Sequence, residues 1–208
     1  MDMIENYFFD LGGVLLDIDV QRTLDALRPL INWEGGGLQD FREDDLFGVG
    51  NNKLMQEYQD GAIGTSEFLQ SFRPMVRTGV SDDMLIEAWD AMLLTISRHR
   101  LEAIRRLRSE GKGVYILSNI NEEHLRWVRE HFDQIGLRVG VDVTEAFFSN
   151  EMGMSKPNRE IYDEAIRRSG VNPLTTVYID DMEVNVEAGR QCGLQAHCAK
   201  GDAWLRLI

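Results

Sequence analysis

Apolar positions along this chain fall into two textures. Short, mostly apolar runs occur at Tyr7–Phe9, Gly113–Leu117, Glu145–Phe148, Thr176–Ile179 and Gly193–His197. Runs of this length, rich in aromatic and β-branched side chains, predict strands covered on both faces. Between them the apolar positions space at three and four residues. Leu101, Ile104 and Leu107 form one such stripe, which stops at Gly111. Further helices are predicted over Glu122–Phe132, Asn158–Ser169 and Glu183–Cys192. Strands alternating with helices of this length imply right-handed crossovers and a mostly parallel sheet.

Residues 17–95 read differently, as helices with no convincing strand. Val20, Leu24, Leu27 and Ile31 make a helical stripe, and Trp33–Gly37 reads as a loop. Helices are predicted over Asp40–Gly48 and Lys53–Asp60, then from Thr65 through Phe72 and from Ser81 through Met92. Polar residues stand just before the last two stripes, where helix N-caps belong. The pattern therefore predicts a small all-helical unit inserted after the first strand.

The polar residues that matter sit where the strands stop. The first run ends at Asp10, followed by Leu11-Gly12-Gly13; the second ends at Ser118-Asn119, and the fourth at Asp180-Asp181. Lys156 lies just after the third. Ligands of open parallel sheets bind beyond the carboxyl ends of the strands, so these residues are expected to converge on one rim. Carboxylates gathered there repel unless a cation sits among them, and a hard cation with oxygen ligands, Mg²⁺, meets that need. Lys156 adds a point charge that holds a phosphoryl oxygen and keeps Asp10 ionised. Ser118 and Asn119 add anion-binding donors. Together they suit covalent phosphoryl transfer through an aspartyl-phosphate.

Composition narrows the partners. The 208 residues, 43% hydrophobic and 27% charged, suit one large domain or a core with an insertion. A net charge of −13 argues against nucleic acid and anionic membrane as partners. No run approaches the ~20 apolar residues of a membrane span. Acidic residues stand where a signal peptide carries basic ones, so a cytoplasmic protein is expected. Cys192 and Cys198 are read as reduced thiols.

Four motifs then carry a resemblance: Phe8-Phe9-Asp10-Leu11-Gly12-Gly13-Val14, Val114-Tyr115-Ile116-Leu117-Ser118-Asn119, Gly153-Met154-Ser155-Lys156-Pro157 and Val177-Tyr178-Ile179-Asp180-Asp181. In this order the chain resembles the haloacid dehalogenase-like (HAD) superfamily. Its Asp-Leu-Gly-Gly-Val and Leu-Ser-Asn forms are similar to those of sugar-phosphate phosphatases of the glucose-1-phosphate type. The resemblance implies an α/β fold: a Rossmann-like parallel-sheet core over residues 1–16 and 96–208, with an inserted all-helical cap over residues 17–95. It also implies Asp10 as nucleophile and Mg²⁺ ligand, Gly12 as a ligand through its carbonyl, Asp181 as a direct ligand and Asp180 as one acting through water or from behind. Ser118, Asn119 and Lys156 would hold the phosphate of a small phosphorylated metabolite, a sugar phosphate being favoured.

One position departs from the pattern. Most phosphatases of the superfamily carry an acid at the position of Gly12, and losing a general acid typically costs about 10²–10⁴-fold in rate. Asp17 and Asp19 are the candidates to replace it, although capping or hinging the first inserted helix is the favoured reading of both. The competing functions are a hydrolytic 2-haloacid dehalogenase and a catalytically weak binding protein on the same fold. Extra carboxylates at Asp180-Asp181 disfavour the dehalogenase. The four histidines are expected at surface or strand positions, and Asn185 is expected to tie down the Asp181 loop.

Overall fold

The computed structural model describes residues 3–31 and 53–208. The loop expected at Trp33–Gly37 and the helix expected over Asp40–Gly48 lie outside the described residues. Five strands form one parallel sheet: β1 (Asn6–Phe9), β4 (Gly113–Ser118), β5 (Glu145–Phe148), β6 (Thr176–Asp180) and β7 (Gln195–Cys198), in the order β5-β4-β1-β6-β7. The first strand is thus the middle one. Phe9 pairs with Ile116 on one side and Ile179 on the other. That register brings Asp10 abreast of Leu117 and Asp180, and Asp10 N–H extends the ladder to the Ile179 carbonyl at 2.8 Å.

Alternation along the strands divides the core in two. Tyr7, Phe9, Val114, Ile116, Val177 and Ile179 face α5 (Arg98–Ser109) and α6 (Glu122–Ile135). Phe8, Tyr115, Leu117, Phe147 and Tyr178 face α8 (Arg159–Ser169) and α9 (Glu183–Gln191). The third strand leads into a short helix, α7 (Ser149–Met152). Trp204, in a closing 3₁₀ turn, is fully buried against Phe9 and donates its indole N–H to the Val14 carbonyl.

The insertion contains α1 (Val20–Leu27), α2 (Lys53–Gln59), α3 (Thr65–Phe72) and α4 (Asp82–Asp90). These helices have their own apolar cluster, centred on Tyr58, Phe68 and Trp89. The expectation of no strand over residues 17–95 fails at both ends. β2 (Leu16–Ile18) and β3 (Leu93–Ile96) pair as an antiparallel ribbon, with Leu16 opposite Ile96 and Ile18 opposite Leu93. Each strand is too short to leave a period in the sequence, and the pairing joins segments far apart in the chain. The expected boundaries of core and cap fall inside this ribbon.

A network of polar contacts fastens the insertion to the sheet side. Gln56 donates to Ser155 Oγ at 2.6 Å, and Ser149 Oγ donates to the Gln59 carbonyl at 2.6 Å. Glu122, at the start of α6, accepts from both N–H and Oγ1 of Thr65 and so caps α3 from outside. Gly61 has φ +69° and presses on the Asn150 backbone so closely that no Cβ fits.

Candidate active site

Asp10 is placed by the last ladder bond of β1, and its carboxylate turns back on the chain. Oδ1 accepts from Leu11 N–H at 2.7 Å and lies 2.9 Å from Lys156 Nζ. Oδ2 has no hydrogen-bond partner among the described residues. Lys156 Nζ also donates to Asp180 Oδ2 at 2.7 Å and to the Leu117 carbonyl at 3.0 Å, which uses all three of its N–H bonds. Both side chains are buried, so this is a dry ion-pair triad rather than a surface bridge.

Asp180 is fully enclosed and its oxygens are saturated. They accept from Lys156, from Tyr178 Oη, from Met182 N–H at 2.8 Å and from Asn185 Nδ2 at 3.0 and 3.2 Å. Asp180 therefore sits behind the cavity and aims Lys156. The Asp181 carboxylate accepts no hydrogen bond from another residue and lines the cavity. Asn185 does tie down this loop, with its own carbonyl held by Tyr162 Oη.

One carboxylate oxygen from each of Asp10, Asp180 and Asp181 lies within 4.8 Å of the others. Burial first, then the charges of Asp180 and Asp181, push Asp10 up to about 7 despite Lys156. Burial and the charge of Asp180 likewise raise Asp181. Burial would raise Asp180 too, but the charge of Lys156 and its hydrogen bonds outweigh it and hold this carboxyl below its usual value. Burial would lower Lys156, but the two aspartates outweigh that and hold it above its ordinary value. The surplus of negative charge is thus concentrated on Asp10 Oδ2 and Asp181. Gly12 adds a carbonyl that accepts no hydrogen bond among the described residues. An all-oxygen set with two strained carboxylates fits a hard divalent cation such as Mg²⁺.

Gly12 and Gly13 serve different ends. Gly13 has φ +77°, a conformation that L side chains rarely adopt, and its N–H donates to the Leu16 carbonyl at 2.9 Å. Gly12 is outside the left-handed region, and a Cβ there would meet only Ile18, at 3.6 Å.

Ser118 and Asn119 both reach the same cavity. The Asn119 side chain, however, is spent on the backbone of Lys156: Nδ2 donates to the Lys156 carbonyl and Oδ1 accepts its N–H, both at 2.8 Å. It positions the lysine. The Ser118 hydroxyl makes one long contact, 3.4 Å to the Asn119 carbonyl.

The cavity has a volume of about 400 Å³ and opens between the sheet rim and the insertion. The two candidate acids separate. Asp17 is paired with buried Arg100 at 2.7 Å and is not part of the cavity wall. Asp19 caps α1 by accepting from Gln21 N–H at 3.1 Å, as the favoured reading has it, and also lines the cavity. Lys200, Gln59, Asn121 and His124 line it as well and were not singled out as site residues from the sequence. Lys200 sits two positions past the end of β7, the same strand-end signal that marked Asp10. His124, expected at the surface or on a strand, is instead buried on α6, where burial lowers its pKa to about 4 and leaves it neutral.

The family model of haloacid dehalogenase-like hydrolases matches residues 4–193. D-ribitol-5-phosphate phosphatase of Bacteroides thetaiotaomicron is 28% identical over 194 residues, covering 93% of this chain and 90% of that one. Sesquiterpene phosphatase astK of Aspergillus oryzae is 25% identical over 195 residues, covering 89% and 85%. A HAD-family enzyme of B. thetaiotaomicron, solved with magnesium and inorganic phosphate, superposes with a TM-score of 0.82 at 29% identity over 99% of each chain. With the rim of carboxylates, the buried lysine and the parallel sheet that carries them, the match over nearly the whole length leaves one conclusion: the chain belongs to the haloacid dehalogenase-like hydrolases.

Proposed function

We propose that this protein is a Mg²⁺-dependent phosphatase that hydrolyses a small phosphorylated metabolite, a sugar or related polyol phosphate, through an aspartyl-phosphate. The observation that carries this reading is the buried Lys156, 2.9 Å from Asp10 and 2.7 Å from Asp180. It holds one oxygen of Asp10 while leaving the other open to the cavity.

In this reading Asp10 Oδ2 attacks phosphorus, a new O–P bond forms and the bond to the leaving oxygen breaks in line. Water then attacks the acyl phosphate, releasing inorganic phosphate and restoring the carboxylate. Bound between Asp10, Asp181 and the Gly12 carbonyl, Mg²⁺ would neutralise charge on the phosphoryl oxygens. Ser118 Oγ donates to the transferring group, and Asn119 keeps Lys156 beside it. Asp180 serves from behind by fixing the lysine. Gly12 cannot move a proton. Among the described residues, the carboxylates on the cavity wall are Asp10 and Asp181 of the charged cluster and Asp19, so Asp19 is assigned the proton of the leaving alcohol.

Residues 17–95 act as the cap in this reading, joined to the core of residues 1–16 and 96–208 through the β2–β3 ribbon. A dehalogenase reading is weaker, because two further carboxylates beside Asp10 repel a carboxylate substrate. The test is hydrolysis of p-nitrophenyl phosphate. Activity should require Mg²⁺, vanish in excess chelator and be lost in Asp10→Asn. Full activity in chelator overturns the reading, and no release from a broad panel of phosphorylated metabolites leaves a binding protein.

A further inference from the structure

Gln59 ends α2 with 93% of its surface buried, yet its amide has no hydrogen-bond partner among the described residues. The amide is not sealed in the core, so a ligand or water in the space it borders must satisfy it. Gln59 lines the same cavity as Asp10. Its position is not accidental slack: the Gln59 carbonyl is held by Ser149 Oγ at 2.6 Å, and Gln56 on the preceding turn is held by Ser155 at 2.6 Å.

A second amide lines the same cavity from the core side. Asn121 is also buried, and its Oδ1 is used in accepting His124 N–H at 2.9 Å as the cap of α6. Its Nδ2 has no partner among the described residues, and Asn121 lines the cavity. Neither amide is charged, and His124 beside them is neutral. The cationic side chains of the cavity wall, Lys156 and Lys200, belong to the carboxylate rim.

From this juxtaposition the geometry points to Gln59 and Asn121 as specificity-determining residues that read hydroxyl groups on the leaving alcohol. A hydroxyl both donates to Gln59 Oε1 and accepts from Gln59 Nε2 or Asn121 Nδ2, so it satisfies groups that nothing among the described residues satisfies. A second phosphate or a carboxylate finds no cation here among the described residues beyond those of the carboxylate rim. A prenyl or alkyl chain strands both amides, and sites built to hydrogen-bond a hydroxyl reject analogues that lack it. The substrate class is therefore a polyhydroxylated monophosphate. This rests on the phosphatase reading above.

The experiment compares a pentitol phosphate with n-pentyl phosphate of the same chain length, in wild type and in Gln59→Leu. Wild type should prefer the pentitol phosphate in kcat/KM. Gln59→Leu should reduce that preference by at least about tenfold, with the loss carried mainly by KM. Leu nearly matches Gln in volume and removes an unpartnered amide, so thermal unfolding should show a folded variant. Asn121→Ser, which keeps a helix cap, should reduce the preference in the same sense. A preference untouched in both folded variants overturns the assignment while leaving the phosphatase reading intact. Wild-type protein that releases phosphate from neither ester nor from p-nitrophenyl phosphate overturns both.

Discussion

Gly13 packs against Asp181 so closely that a Cβ on Gly13 would run into Asp181 Oδ2. Together with φ +77°, this fixes the residue as glycine and the carboxylate in place. Gly13→Ala should fold with a strain of about 1 kcal/mol and raise the Mg²⁺ concentration for half-maximal activity by roughly 10–100-fold. Gly12→Ala, one position earlier, meets only Ile18 at 3.6 Å and should bind Mg²⁺ as wild type does. Metal titrations of the two variants check the contrast; equal affinities would remove Asp181 from the ligand set.

The tolerance for a Cβ makes Gly12 a place to restore an acid. Gly12→Asp needs no left-handed backbone, and its Cβ would make only ordinary contact with Ile18 at 3.6 Å. It should raise turnover of an alkyl phosphate, whose leaving group needs a proton, by about tenfold or more, and change p-nitrophenyl phosphate little. Comparing kcat on the two esters checks this. No gain on the alkyl ester would mean that protonation of the leaving group does not limit the wild-type rate.

Asp17 and Asp19 differ in what they touch, and substitution should separate them. Asp17 Oδ1 is 2.7 Å from Arg100 Nη1, and that buried guanidinium also binds the Leu15 carbonyl and Asp202. Asp17→Asn should cost about 1–2 kcal/mol of stability and spare turnover. Asp19→Asn keeps a side chain that caps α1, yet removes an ionisable group from the cavity. It should lower kcat on the alkyl phosphate by about 10²-fold and on p-nitrophenyl phosphate far less. Equal losses on both esters would point to positioning rather than proton transfer.

What could be read from the chain was whatever the backbone alone determines. Strand ends are visible in one sequence, and a parallel register carries them to one rim, so Asp10, Ser118, Lys156 and Asp181 were legible as neighbours. Side-chain direction was not. Asn119 turns away to grip the Lys156 backbone, and Asp180 is swallowed by Tyr178, Asn185 and Met182 N–H. Gln59 and Asn121 were hidden for a further reason: each ends or caps a helix, and only the packing of the insertion on the core puts their amides in one cavity. The β2–β3 ribbon and the Asp17–Arg100 pair depend on partners more than 70 residues away, which no local period records.

The metal site should compete with protons near neutrality. Asp10 holds its proton up to about pH 7 in the metal-free protein, and Asp181 is raised as well. Binding a cation requires both to be ionised, so lowering the pH below about 7 should weaken Mg²⁺ binding by about tenfold per unit for the first proton. Calorimetry in buffers of different ionisation enthalpy should detect proton release on binding at pH 6 and much less at pH 8. No proton release at pH 6 would mean that Asp10 is already ionised without metal.

Asp90, at the end of α4, meets α6 from the insertion side. It is 9% exposed, its Oδ1 is buried without a hydrogen bond, and Arg126 reaches only its other oxygen, at 3.4 Å. Burial first, then the charges of Glu123 and Glu130, push it up to about 7 although Arg126 opposes them. In the unfolded chain the same carboxyl ionises near its ordinary value of 3.8. Between these values the unfolded state has lost the proton that the folded state still holds, so stability falls as pH rises from about 4 to 7 and stays low above. Asp90→Asn removes that penalty. Discounted for screening, the variant should gain about 1–2 kcal/mol at pH 8 and almost nothing at pH 4, read from urea unfolding at each pH. A loss that is the same at both pH values would show instead that Asp90 stays ionised and that its contact with Arg126 holds the insertion to α6.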